Sequence, residues 1–287
     1  MSASSVSVIA VIPLGLMVGG IITMVTTRVP EMLPVFSPGP ACPGCDCSLA
    51  LGEIIPVVSW VRQRRSCTHC GERISIAYPA VELTTAALFV AAALRFDAWP
   101  VLIPHLVLFA SLVAVSVTDL YLYRIPDRIT FPTLGASSLL IIAVSLYYEN
   151  PRLIWVAIAG ALLYSGLLLA LHLALPAGMG FGDVKLALIL GLFLGWNSSG
   201  SILNTINLVL TSLILASLIS VAGGVVLLIA RKLGYDPLPD PDLELDGSEP
   251  ESAMAGAINR TLPFGPSLAI GTIITILFAE QLVTGLV

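Results

Sequence analysis

The chain predicts an all-α, polytopic membrane protein with about eight transmembrane helices and a small zinc-stapled cytoplasmic loop domain. Three observations carry this expectation. Hydrophobic residues make up 57% of the chain and charged residues 11%, far from the balance of a water-soluble domain. Apolar stretches close to the roughly 20 residues needed to cross a bilayer recur along the sequence. The basic residues fall between those stretches, mostly on one side.

The first stretch, 5–27, has no Lys or Arg ahead of it and no small-residue cleavage pattern behind it, so a retained helix is expected and not a removable signal. The others run over 80–96, 99–118, 129–148, 153–175, 184–199, 204–230 and 263–284. The second carries Glu82 near its start, and the sixth is short and contains glycine. Three regions follow: a first helix over 1–27, a tetracysteine segment over 28–79 and a multi-helix membrane domain over 80–287. Within the last, an acidic loop at about 234–258 holds Asp236, Asp240, Asp242, Glu244, Asp246, Glu249 and Glu251 among Pro and Ser. Too few large apolar residues lie there to support a core, so it is expected to be a disordered, solvated spacer. The net charge of −5 is the work of that loop, since the remainder carries +2 without its seven acids.

With the N-terminus outside, one set of loops holds Arg28, Arg62, Arg64, Arg65, Arg73, Arg124, Arg128, Lys185, Arg231, Lys232 and Arg260, while the opposite loops keep Arg95 and Arg152. The positive-inside rule makes the first set cytoplasmic. Asp119, at the end of the third stretch, and Asp183, at the start of the sixth, then share the cytoplasmic face.

That face also receives Cys42-Pro43-Gly44-Cys45 and Cys67-Thr68-His69-Cys70, with 21 residues between the pairs. Two C-x-x-C turns can bring four thiolates onto one tetrahedral Zn²⁺. Thiols stay reduced on that side, so disulfides are disfavoured, and inert or redox cysteines are the alternative to a metal. With four ligands no coordination position stays open, so the metal would be structural, a staple for a loop too small to fold on its core. Cys47 and His69 could each substitute as a ligand, and a helper or bystander role is the expectation for both.

A carboxylate at the edge of hydrocarbon is a functional candidate by default. Asp119 precedes Leu120-Tyr121-Leu122-Tyr123-Arg124-Ile125-Pro126-Asp127, and Pro126 biases Ile125 away from helix, which predicts a turn there. Asp127 itself is expected to be a solvated turn residue. Asp183 closes Gly178-Met179-Gly180-Phe181-Gly182-Asp183. Gly180 and Gly182 offer bare backbone that can take positive φ and that an extended peptide could approach. Lys185 is expected to be an interfacial anchor or charge compensator at the same place. Two carboxyls about 3 Å apart cannot both ionise comfortably. One would act as base on a water while the other, protonated, polarises a carbonyl. The helix macrodipole favours the anion at Asp183, at a helix N-terminus, and disfavours it at Asp119. His105 and His172, inside apolar stretches, are expected to be packed or hydrogen-bonded. A proton-coupled transporter using the two acids as a relay is the alternative function, although transporter sites favour the membrane midplane.

These residues together resemble the bacterial prepilin peptidases, or type IV leader peptidases, of the GxGD class of membrane aspartyl proteases. The resemblance rests on both cysteine pairs and the following Tyr78-Pro79-Ala80-Val81-Glu82-Leu83. It continues through Asp119 to Ile125-Pro126-Asp127, Gly178 to Asp183-Val184-Lys185, and Pro263-Phe264-Gly265-Pro266. It implies cleavage of short basic leaders from type IV prepilins and type II secretion pseudopilins at the cytoplasmic face of the bacterial inner membrane. N-methylation of the new terminus with S-adenosylmethionine commonly follows in the family. By motif, the family's catalytic aspartates correspond to Asp119 and Asp183, and its zinc ligands to Cys42, Cys45, Cys67 and Cys70. The partners implied are prepilin-like substrates and the lipid bilayer, with no nucleic acid. Departures gather near the N-terminus, where Gly19-Gly20-Ile21-Ile22-Thr23, Glu53-Ile54-Ile55-Pro56 and Arg65-Ser66-Cys67 stand for the family's Gly-Ser-Phe-Leu-Asn, Glu-Asn-Ile-Pro and Gly-Lys-Cys. Two amide side chains, with their donors and acceptors, are thereby absent.

Overall fold

Long apolar runs with no water to bond their backbone must satisfy every N–H and C=O internally, and the α-helix does so within one segment. The computed structural model describes residues 3–29, 39, 41–42, 45, 47–50, 52, 54–175, 179–234 and 263–284, and the described elements are helical apart from isolated bridges. The acidic loop expected at 234–258 and Gly178 of the glycine run lie outside the described residues, save for Gly234.

In chain order the helices are α1 (Ala3–Arg28), α2 (Val58–Arg62), α3 (Ala77–Arg95), α4 (Trp99–Leu122), α5 (Asp127–Tyr147), α6 (Arg152–Ala174), α7 (Phe181–Trp196), α8 (Ile202–Lys232), α9 (Gly265–Leu277) and α10 (Ala279–Thr284). Six of them, α1, α3, α4, α5, α6 and α8, are long and apolar enough to cross a membrane. The protein is therefore an all-α, multi-pass membrane protein. The other two expected spans are shorter helices among the described residues. The sixth stretch starts three residues early, at Phe181, because Gly180 takes extended backbone (φ −72°, ψ 145°) as its N-cap. The last stretch is divided by Phe278 into α9 and α10.

The chain forms two compact units, Met1–Ala114 and Val115–Val287. In the first, α1 lies against α3 so closely that a Cβ on Gly15 or Gly19 would meet the Cα of Ala86 or Glu82. Glu82 is buried there, and its Oε2 accepts the N–H of Val57 at 2.7 Å, which holds the segment before α2 against α3. His105 donates through Nδ1 to the Val101 carbonyl oxygen (2.8 Å) and stacks on Phe96, as expected of a packed histidine.

The second unit is built around α7. With no hydrophobic force between helices in lipid, association relies on close van der Waals approach and interhelical hydrogen bonds. Gly160 of α6 faces Gly191 and Gly195 of α7, and a Cβ at either α7 glycine would strike the backbone of α6. The α7 side chains from Leu186 to Phe193 that face its neighbours are almost fully covered. Hydroxyls tie the remaining helices: Tyr164 of α6 shares a hydrogen bond with Ser212 of α8 (3.3 Å), and Ser212 shares another with Thr272 of α9 (2.9 Å). Replacing Gly191 with Val should destabilise the protein by about 1–3 kcal/mol or more, the usual cost of overpacking. Thermal unfolding in detergent should show the lower midpoint, and an unchanged midpoint would contradict this packing.

Candidate functional site

The second unit brings the expected acids into one region. Asp119 lies in the last turn of α4, and the helix ends at Leu122, where Tyr123 turns to positive φ (53°). Pro126 then caps α5 in extended conformation (ψ 129°), so the proline produces the turn that its position predicts. Asp183 is the third residue of α7. Both aspartates are 6% exposed.

Two glycines shape the ground around them. The N–H of Gly265, first residue of α9, donates to Asp119 Oδ2 at 3.0 Å. A methyl group on Gly265 would lie 2.5 Å from that same oxygen and 3.4 Å from Ile125 Cδ1. A methyl group on Gly182 would lie 3.0 Å from Ile125 Cβ. Ile125, from the turn after α4, therefore fits between Gly182 and Gly265, and the ends of α4, α7 and α9 meet around it. Gly180 and Gly182 do not use the positive φ that was expected of them. Gly180 has φ −72° and Gly182 is helical, so their contribution is the absence of a side chain. Asp183 Oδ1 is buried without a hydrogen-bond partner among the described residues.

Lys185 and Asp127 form the outer edge of this region. Lys185 Nζ donates to Asp127 Oδ1 at 2.6 Å and Oδ2 at 2.9 Å, so Asp127 is a partner and not merely a solvated turn residue. The ammonium also lies 5.7 Å from the Phe131 ring and 5.4 Å from the Phe181 ring. The pair joins the first turns of α5 and α7. His172 Nδ1 donates to the Met179 carbonyl oxygen at 2.9 Å, which holds the segment before α7 to the end of α6.

In the first unit, Cys42, Cys45, Cys67 and Cys70 place their sulfurs within 4.8 Å of one another, a group that could hold a metal ion. Tetrahedral zinc with Zn–S of about 2.3 Å requires sulfurs roughly 3.8 Å apart, and Cys42 Sγ lies 3.8 Å from Cys70 Sγ. The backbone N–H groups of Cys70 and His69 point at the Cys67 sulfur and lower its pKa to about 6, with His69 N at 3.4 Å. Burial and the neighbouring thiols push Cys45 and Cys70 up instead, so Cys67 is the thiolate that the cluster favours first. Cys47 lies outside the group, and its carbonyl accepts the N–H of Cys42 at 3.0 Å.

Comparison with known proteins finds relatives for most of the chain. The bacterial peptidase A24 N-terminal domain matches residues 13–96, and the type IV leader peptidase family matches residues 106–229. A prepilin leader peptidase/N-methyltransferase of Burkholderia pseudomallei (strain K96243) is 30% identical over 93% of this chain and 84% of its own length. The chain belongs to the type IV leader peptidase family. Another member, the prepilin leader peptidase/N-methyltransferase of Bacillus subtilis (strain 168), is 29% identical over 94% of both chains. That of Aeromonas hydrophila is 31% identical over 85% of this chain and 73% of its own. No solved structure matches.

Within this family member, the sequence reading missed the roles of Gly265, Ile125 and Asp127. The sole signal for Gly265 was its place in Pro263-Phe264-Gly265-Pro266. Ile125 offered only the proline that follows it. Because the Lys185 and Asp127 side chains are 25% and 53% exposed, solvent screens their ion pair, and it contributes about 0–1 kcal/mol. Lys185→Gln should therefore lower unfolding stability by no more than about 1 kcal/mol. A larger loss in denaturant or thermal unfolding would show that the bridge carries the packing of α5 on α7.

Proposed function

We propose that the protein is a membrane aspartyl endopeptidase of the GxGD class that removes basic leader peptides from type IV prepilins or type II secretion pseudopilins. The observation that carries this reading is the placement of Asp119 and Asp183, both buried, at helix ends that converge on Ile125 beside side-chain-free backbone. A pair of carboxyls in that setting can hold one proton between them. The uncharged partner polarises the scissile carbonyl by donating to its oxygen, and the charged partner takes a proton from water as the water oxygen attacks carbon. Proton return to the amide nitrogen then releases the new N-terminus. Asp119 already accepts an N–H from Gly265, a contact that favours a carboxylate. Asp183 Oδ1 has no donor among the described residues, an open acceptor position for the attacking water or the substrate.

By the positive-inside rule both aspartates would face the cytoplasm at the bacterial inner membrane, with the N-terminus outside and α7 and α9 completing eight crossings. A leader with positive charge would stay in the cytosol while the apolar stretch behind it enters the bilayer. Gly180 and Gly182 leave room for an extended substrate backbone, and Lys185 steadies the start of α7 through Asp127. A proton relay would use the acids but offers no account of the close fit of Ile125 and Gly265.

Intact-mass analysis of purified protein mixed with a prepilin tests the reading. Asp119→Asn and Asp183→Asn should each reduce cleavage at least 10²–10⁴-fold, the usual range for a lost acid–base group, while both variants remain folded. Cleavage that persists in either would remove that residue from the chemistry. Gly265→Ala, whose methyl would press on Asp119 Oδ2, should also slow cleavage without abolishing it.

Cys42, Cys45, Cys67 and Cys70 would hold Zn²⁺ as a closed structural site, supplying a cross-link to the loop and no chemistry to the reaction. The purified chain should carry one zinc, and Cys67→Ser should reduce both the metal content and the protease resistance of residues 41–75. Retention of full zinc by that variant would count against the ligand set. For S-adenosylmethionine, the buried acid of the first unit already bonds Val57 N–H. The described residues there assemble no set of donors fitted to the cofactor, so no methyl-transfer step is part of this proposal. The mass assay with S-adenosylmethionine would report such a step directly as the gain of one methyl group.

A further inference from the structure

The segment between the first cysteine pair and α3 has a surface that the proposed peptidase does not use. Arg64, Arg65 and Arg73 line a cleft of about 380 Å³ with Ser66 and Gly71, and Arg62 is exposed on the adjoining helix. None of these four arginines pairs with a carboxylate among the described residues. Among the described residues of 54–76, the one acid is Glu72, which is exposed. The turn that presents them is firmly held. Arg64 and Arg65 both have positive φ (50° and 65°), their N–H groups bond to Val61 and Trp60 carbonyls, and the Arg65 guanidinium covers the Trp60 ring.

Beside the cationic cleft lies an apolar surface. Val58 and Val61 occupy one face of α2 and are 58% and 63% exposed. Ile54, Ile55 and Ile76 are exposed as well. Trp60 points the other way, its Nε1 donating to the Ile74 carbonyl oxygen at 3.4 Å, so the valines are not the inward side of the module. Ala77 opens the membrane-crossing helix α3. Arg73 is four residues earlier, within roughly 14 Å of that entry point at the length of an extended chain. Exposed apolar groups flanked by arginines next to a bilayer have the composition of an interfacial anchor: alkyl groups enter the acyl boundary while guanidinium groups meet phosphates.

We infer that residues 54–76 dock on the membrane surface, with Val58 and Val61 in the interfacial layer and Arg62, Arg64, Arg65 and Arg73 on the phosphates of anionic phospholipids. The charge selects the occupant. A basic leader peptide would be repelled by four arginines, whereas a leaflet of anionic headgroups attracts each of them. The anchor would fix the tetracysteine module flat against the bilayer.

Hydrogen–deuterium exchange on the full-length protein in nanodiscs, one copy per disc, tests this directly. Both faces of a nanodisc have the same lipid, so the result does not depend on the proposed orientation or on peptidase activity. Exchange across 54–76 should be slower in discs containing phosphatidylglycerol than in phosphatidylcholine alone, and raising the ionic strength should erase the difference in the wild-type protein. Arg64→Gln, Arg65→Gln and Arg73→Gln should each weaken the phosphatidylglycerol-dependent protection about fivefold, with zinc content unchanged as the sign that the module is folded. Equal protection in both lipids would overturn the inference, as would inorganic phosphate reproducing the protection in phosphatidylcholine discs, which would indicate a soluble-anion site. Protection that requires two copies per disc would assign the surface to self-association. Protection lost when the acids of 236–251 are changed to Gln would assign it to this chain's own acidic segment. Either result would overturn the lipid assignment.

Discussion

Withdrawing a carboxyl group from water into a membrane-embedded helix bundle costs about 3 kcal/mol at the centre of a span, and this bundle does so twice in one place. Much of the second unit is arranged around that constraint. Asp119 sits in the last turn of its helix and Asp183 in the first turn of its own, so neither is deep in a span. Gly265 supplies a backbone donor to one acid and has no side chain to displace it. The other acid retains a buried oxygen without a donor among the described residues, an unmet valence that a water or a peptide group could fill.

The supporting structure is economical in side chains. Gly160, Gly191 and Gly195 let α6 and α7 approach backbone to backbone, so α7 is held along its length and its first turn has little freedom to drift. At that turn Lys185 reaches Asp127 and His172 reaches the Met179 carbonyl, which fixes the segment on either side of Asp183. Positional precision at a reacting group is worth more than the small free energy of any one such contact, because a displacement of about 1 Å can cost 10²-fold in rate. The first unit solves a different problem. A module of this size has too little core to define its own fold, and four convergent thiols form a group that could hold a metal ion as its cross-link.

Much of this could be read from residues alone because membrane insertion acts on local composition. An apolar run such as 153–175 has one low-energy form in lipid, and α6 follows it within a residue at either end. The two C-x-x-C pairs were equally legible, since each turn presents its sulfurs by local geometry. The departures occur where an apolar run is mixed or short. The last stretch, expected as one span over 263–284, is two helices and not one, and Glu280 and Gln281 interrupt its apolar run just past Phe278. Gly180 and Gly182 suggested an unusual backbone, yet the chain uses only their small size, because the space beside Gly182 is taken by Ile125.

The amino-acid sequence by itself determined the helical class, the positions of the apolar helices, the pairing of cysteines into a metal-sized cluster, and which acids lie at helix ends. Each of these depends on neighbours within a few turns. Only the tertiary structure decided that Gly265 bonds Asp119 across 146 residues, that Lys185 and Asp127 meet across 58, and that Ile125 fills the gap between two glycines. Contacts of that kind leave no periodic trace in a chain, because they are selected by how whole helices pack, after the bilayer has already dictated that helices form.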